Sequence, residues 1–162
     1  MSDWKPSVTV AAVIARDGRF LMIEEQTREG LRLNQPAGHL DPGETLLQAV
    51  RREALEETAW HVEPHACVGI YMSRYMNEAA GIDSTYLRFA FECQVLEEAV
   101  GRKLDDGIIR ALWLSRDEVH QRTQMHRSPL VMRTIDDYLA GIRYPLQMIF
   151  THPSCLEGHE RN

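Results

Sequence analysis

Residues 38–60 read GHLDPGETLLQAVRREALEETAW, a turn running into a helix whose charge pattern decides how the rest of the chain is read. Asp41-Pro42-Gly43-Glu44 is a turn signal. Residues 45–58 are Leu, Gln, Ala, Arg and Glu in the main, with no glycine or proline, so a helix is expected there. Each helical residue advances about 100°, which puts Glu56 near about −60° and Glu57 near about +40° from Glu53. The three carboxylates therefore share one arc, and Leu47, Val50 and Ala54 fall on an adjoining arc that would face a core. Like charges at this spacing destabilise a helix by a few tenths of a kcal/mol per pair. Arg52, four residues before Glu56, offsets part of that repulsion, and a hard divalent cation with oxygen ligands would offset more. A solvated acidic face is the ordinary explanation for Glu56-Glu57 alone. The joint spacing of Gly38, Glu44, Arg52, Glu53, Glu56 and Glu57 points instead to a metal–polyphosphate site.

On the N-terminal side, residues 7–15 (SVTVAAVIA) form a β-rich apolar run. Arg16-Asp17-Gly18 is a hairpin turn signal, and residues 19–25 read as the returning strand. Residues 31–39 suggest a short strand and a loop around Pro36 and Gly38. On the C-terminal side, residues 67–74 and 85–95 read as strands joined by a polar connection over 77–84. In the second, Tyr86, Arg88, Ala90, Glu92 and Gln94 alternate with Leu87, Phe89, Phe91, Cys93 and Val95, as in a sheet covered more on one face. Residues 97–107 form a charged loop, and 108–114 a short strand. Ser115-x-x-Glu118 is a capping box, and a last helix runs from Ser128 or Pro129 to Leu139, ending near Gly141. The organisation is one α/β domain over residues 1–150 with a mixed sheet, followed by a flexible C-terminal tail over 151–162.

Composition narrows the function classes. The 162 residues make about one domain, and no stretch approaches the ~20 apolar residues of a membrane span. The opening MSDWKPSVTV lacks a signal-peptide pattern, so a cytoplasmic protein with no membrane partner is expected. A net charge of −6 argues against nucleic acid bound along a basic surface, but not against a polyphosphate, since a metal supplies local positive charge. Cys67 and Cys93 lie in apolar, strand-like runs and read as buried free thiols. With Cys155 they offer no zinc-type spacing.

Residues 38–60 resemble the Nudix box, G-x5-E-x7-R-E-U-x-E-E-x-G-U with U bulky and apolar. Gly38, Glu44, Arg52, Glu53, Glu56 and Glu57 match, and Trp60 fits the final apolar place. Ala54 is small for its position, and Ala59 replaces the glycine that caps the helix, which would cost local stability if the position needs positive φ. The resemblance implies a Nudix-type α/β/α sandwich and a hydrolase of phosphoanhydride bonds in small di- or triphosphates. It implies Mg²⁺, with Mn²⁺ as a substitute, held by Glu53, Glu56 and Glu57 and by backbone oxygen near Ala37-Gly38. Arg52 would orient the carboxylates and Glu44 support them, so Glu44, Arg52, Glu53 and Glu57 form the catalytic set. The general base is a helix glutamate such as Glu53, or an acid from a later loop, where Asp105 and Asp106 stand, although for each of these a solvent-exposed loop acid competes.

Beyond the box, Asn34-Gln35-Pro36-Ala37-Gly38-His39, residues 127–131 (RSPLV) and residues 143–146 (RYPL) resemble the NudJ branch of that family. That branch implies release of orthophosphate from nucleoside di- and triphosphates and from thiamine-pathway pyrophosphates, namely hydroxymethylpyrimidine diphosphate and thiamine diphosphate. The substrate contacts expected from it are Gln35, His39, Asp105 and Arg127. For Arg127 and Arg143 a salt bridge or helix-end role competes, for His39 a structural hydrogen bond, and for Tyr71, Tyr75 and Tyr86 simple packing against base stacking. A monomer is expected, with a dimer as the alternative. Two rival functions are a pyrophosphohydrolase that sanitises the nucleotide pool and a non-catalytic nucleotide sensor. The intact set of box carboxylates weighs against the sensor.

Overall fold

The apolar run near the N-terminus becomes a strand buried on both faces. In the computed structural model, which describes residues 4–157, β1 spans Ser7–Arg16 and its residues 10–14 are all buried. Val10, Ala12 and Ile14 join one hydrophobic cluster while Ala11 and Val13 join another on the opposite face. Successive strand side chains point to opposite faces, so a continuous rather than alternating apolar run is what a strand between two layers requires.

The hairpin forms as expected. β2 (Arg19–Thr27) returns from β1 through Asp17 and Gly18, both at positive φ (51° and 72°), the twist of a tight type I′ turn. β3 (Gly30–Asn34) pairs antiparallel with β2, and β4 (Ala37–His39) turns back to pair antiparallel with β1. Pro36 separates these two short strands, where a single strand and a loop were expected. The helix α1 spans Leu46–Thr58 and is followed by a long hairpin of β5 (Trp60–Asn77) and β6 (Ile82–Glu98). Then come β7 (Ile108–Ser115), α2 (Arg116–Gln121) and α3 (Leu130–Leu139).

β6 lies parallel to β1 and antiparallel to β5, and β7 pairs with β2, giving a mixed sheet of seven strands. One cluster packs Ala49, Val50 and Ala54 of α1 on one face of the sheet. The other packs Val119 of α2 with Val131 and Ile135 of α3 on the opposite face. This is the expected α/β/α sandwich. The Ser115–Glu118 capping box forms at α2, and Cys67 and Cys93 are buried free thiols.

Two expectations need adjustment. β5 is 18 residues long and begins at Trp60, well before residue 67. His61, Glu63, Pro64 and His65 hid its first half, but β5 is an edge strand with bulges, where proline and outward polar residues are tolerated. The expected loose tail falls partly on residues 158–162, outside the described residues. Within 151–157 a short 3₁₀ turn spans Pro153–Cys155, capped by His152. Among the described residues no helix is long and apolar enough to cross a membrane.

Candidate active site

Thr45 and Gln48 start α1 with a reciprocal cap. The Thr45 side chain accepts from the Gln48 amide and the Gln48 side chain accepts from the Thr45 amide, relieving two otherwise unpaired helix-end donors. One turn later Arg52 gathers the acids around it. Its guanidinium lies 2.6 Å from Glu44, 2.6 Å from Glu53 and 3.1 Å from Glu56, and donates to the His39 carbonyl at 2.9 Å. These bonds, Glu44's first among them, hold Arg52 charged well above its ordinary range. Arg52 thus stands between Glu44 on one side and Glu53 and Glu56 on the other.

Glu53 and Glu57 sit deeper, each 8% exposed. Glu57 accepts a 2.8 Å hydrogen bond from the Ala37 amide of β4. Among the described residues no cation lies within ion-pair distance of Glu57. Burial pushes its carboxyl up to about 9 despite that hydrogen bond, and the charges of Glu53, Glu25 and Asp105 add to the rise. Burial also raises Glu53, against the lowering effect of Arg52. Gly38 borders this pair so closely that a Cβ there would land on the Glu53 carboxylate. The box glycine is therefore required by close approach, and its φ is not positive.

These donors fit a hard divalent cation: two buried carboxylates packed against the Gly38 backbone, where no side chain intervenes. Among the described residues, no three or more His, Cys, Asp or Glu side chains form a ready-made metal cage. The reason is Arg52, which draws Glu53 and Glu56 toward itself.

Glu53, Glu57 and Gly38 line a cleft of about 920 Å³. Glu25 of β2 and Arg127, paired at 3.3 Å, line it too, with Arg28, Arg74 and Tyr75 among the further lining groups. His39 lines the cleft with an exposed ring tilted against Tyr86, 6.1 Å between centroids. Arg127 thus reaches the cleft and also makes the salt bridge that was its competing reading. Tyr75 and Tyr86 line the cleft, whereas Tyr71 packs in the core and donates to Asp137 at 2.9 Å.

Several expected residues stand away from the cleft wall. Gln35 is 1% exposed and absent from the cleft wall. It donates to the Val131 carbonyl at 2.8 Å and accepts from Arg88 at 3.0 Å, so both ends of its amide are occupied by protein. Asp105 is exposed and its amide bonds the Glu56 carbonyl, so its charge reaches Glu53 and Glu57 although it does not line the cleft. Arg143 pairs with Glu92 and lies over Tyr138, the salt bridge of its competing reading, and it does not line the cleft. Glu56, though on the carboxylate arc, does not line the cleft either.

Sequence reasoning passed over Glu25 and Arg88. Arg88 sits on β6 opposite Thr9 of β1, is 5% exposed and lines the cleft. The signal was a charge at an alternating strand position between Tyr86 and Ala90, which resembles an ordinary solvent-facing residue.

Comparison with known proteins shows the family. Residues 4–134 match the NUDIX domain. The chain is 38% identical over 147 residues to phosphatase NudJ of Escherichia coli (strain K12), covering 90% of this chain and 92% of that one. A NUDIX hydrolase from Nitrosomonas europaea superposes with a TM-score of 0.84 at 50% identity, covering 91% of this chain and 98% of the other. A MutT NUDIX hydrolase from Burkholderia pseudomallei shares the fold, with a TM-score of 0.65 at 21% identity over 83% of this chain and 98% of its own. The residues of α1, their seat against β4 and these similarities together establish that the chain belongs to the Nudix family, as a hydrolase of phosphoanhydride bonds.

Proposed function

We propose that this protein is a divalent-cation-dependent phosphatase. It would release orthophosphate from the terminal position of nucleoside di- and triphosphates and of thiamine-pathway pyrophosphates such as hydroxymethylpyrimidine diphosphate and thiamine diphosphate. The observation that carries the cation requirement is Glu57, a carboxylate buried in the cleft wall with a backbone amide but no cation beside it among the described residues. Likeness to phosphatase NudJ over nearly the full length supports the terminal cleavage.

In this reading Glu53, Glu56 and Glu57 with the Gly38 backbone hold Mg²⁺, for which Mn²⁺ can substitute. Bound there, the ion supplies neutralisation of phosphate charge and a lowered pKa for a coordinated water. Arg52, anchored by Glu44, would orient Glu53 and Glu56 toward the ion. Glu53 lines the cleft and Asp105 does not, which supports Glu53 as the group that accepts the water's proton. His39 and Arg127 contact the substrate from the cleft wall, and Tyr75 or Tyr86 offers a ring to its base.

Product analysis over a panel of GDP, GTP and thiamine diphosphate with saturating Mg²⁺ tests this. Orthophosphate should appear with each and should cease with EDTA. Pyrophosphate from GTP would indicate a pool-sanitising pyrophosphohydrolase instead, and no product from any member would favour a nucleotide sensor.

A further inference from the structure

Arg88 is a buried cation whose hydrogen-bond partners among the described residues are neutral, with the charge of Glu57 acting on it only from beyond ion-pair distance. Its Nη2 donates to Gln35 Oε1 at 3.0 Å and lies 3.4 Å from Asn34 Oδ1, both neutral acceptors. Its Nε is buried with no hydrogen-bond partner at all, and among the described residues no carboxylate lies within ion-pair distance of it. An unsatisfied buried donor costs about 1–3 kcal/mol, and more when the group is charged. Burial pulls the guanidinium down to about 10, which still leaves it charged at neutral pH. The arginine is nonetheless held firmly. The Val131 carbonyl at the start of α3 accepts from Gln35 Nε2, which turns Gln35 Oε1 toward Arg88.

Resting on the phosphoanhydride-hydrolase reading above, we infer that Arg88 is the anion-recognising residue of the cleft. It takes a phosphate oxygen of the di- or triphosphate, and Gln35 acts through it as a positioning residue. The amide neighbours fit this role. A carboxylate in place of Asn34 or Gln35 would neutralise Arg88, whereas an amide orients the guanidinium and leaves its charge for the ligand. A guanidinium on a strand, fixed from α3, also sets how far the polyphosphate runs past Glu53 and Glu57, and hence which phosphorus meets them.

The test uses the full chain with Mg²⁺ and methylenediphosphonate, a diphosphate mimic that cannot be hydrolysed at its bridge. Binding is measured by calorimetry, with KM, kcat and melting temperature alongside. Arg88→Met should weaken the probe and raise KM by roughly tenfold or more, the scale of a charge-assisted hydrogen bond, while the melting temperature holds or rises because an unmatched buried charge has gone. Arg88→Lys should fall between, retaining charge without the fork. Asn34→Asp, a nearly isosteric change, should weaken the probe as well, by giving Arg88 an internal anion. Wild-type affinity in Arg88→Met overturns the inference. So does a lower melting temperature in Arg88→Met combined with wild-type affinity in Asn34→Asp, which would make Arg88 structural. Should the wild type bind the probe through Arg88 yet hydrolyse none of the panel, the functional proposal fails and the anion site stands.

Discussion

The two ends of α1 obey different rules. At its start Thr45 and Gln48 cap each other, Arg51 pairs with Glu63 at 2.7 Å and Arg52 with Glu44 at 2.6 Å, so local structure and charge agree. At its end Glu57 is buried without a cation among the described residues, and Ala59 adopts the left-handed conformation at φ 60°. Natural sequences tend to be locally consistent except where function intervenes, so the discord at the second end is what the proposed cation site would account for. Two changes at this end of the helix and one in β4 facing it, with one pH experiment, break or sharpen the contrast.

The largest effect is expected from Glu57→Gln. The amide keeps an oxygen for the Ala37 N–H but cannot ionise. Turnover should fall by roughly 10²–10³-fold, the usual scale for losing one preorganised electrostatic group. The metal-free protein should be at least as stable as before. Near wild-type turnover at saturating Mg²⁺ would remove Glu57 from the machinery.

Gly38→Ala strikes the same pair from the β4 side. The new methyl would land on the Glu53 carboxylate, which is the far end of a flexible chain and can swing away. Stability should therefore drop by only about 1 kcal/mol, at the low end of overpacking costs. Activity should suffer more, roughly tenfold to 10²-fold, since a displacement of about 1 Å at a reacting site is that expensive. A variant that melts much earlier yet keeps its rate would show that Gly38 serves packing alone.

Glu57 also predicts a slope of stability with pH. With its folded value near 9 and its ordinary value near 4.5, the native protein holds a proton that the unfolded chain gives up. Its contribution is fully present below about pH 4.5 and is lost as pH rises toward 9, at no more than about 1.4 kcal/mol per pH unit. Urea melts in EDTA at pH 6 and 8.5 should show wild type losing stability relative to Glu57→Gln. Mg²⁺ should flatten the difference by favouring the ionised carboxylate. Parallel curves for the two proteins would place Glu57 in water rather than in the wall.

Much of this was legible in the sequence, for reasons that residues can show. Gly38, Glu44, Arg52 and Glu53 sit within one short strand, the turn after it and one helix, a contiguous stretch in which spacing translates directly into geometry. The run at residues 10–15 has no polar interruption to obscure burial on both faces. Glu63 and Pro64 concealed half of β5 because edge position is a property of the sheet and not of the segment. Arg88 was passed over and Gln35 expected at the substrate for a shared reason. Arg88 and Gln35 stand 53 positions apart, and only the parallel pairing of β1 with β6 and the docking of α3 bring them together. Local periodicity carries no information about such a meeting.

Ala59→Gly gives the smallest effect and the closest contest. An L-residue in the left-handed region costs about 1–2 kcal/mol, which glycine would relieve. Against this, glycine adds about 0.4–1 kcal/mol of unfolded-state freedom. The Ala59 methyl, 8% exposed, also contributes up to about 0.8 kcal/mol by burial. The net should be a gain of about 0.5 kcal/mol, a rise of roughly 1–2 °C in melting temperature for a chain of this size. The Ala59 amide bonds the Leu55 carbonyl and would do so equally from glycine, so the helix should end at the same residue. A lower melting temperature would mean that the methyl stabilises by packing more than the backbone strain costs. The alanine would then be an adaptation to the core beneath Trp60, with strain as its tolerated consequence.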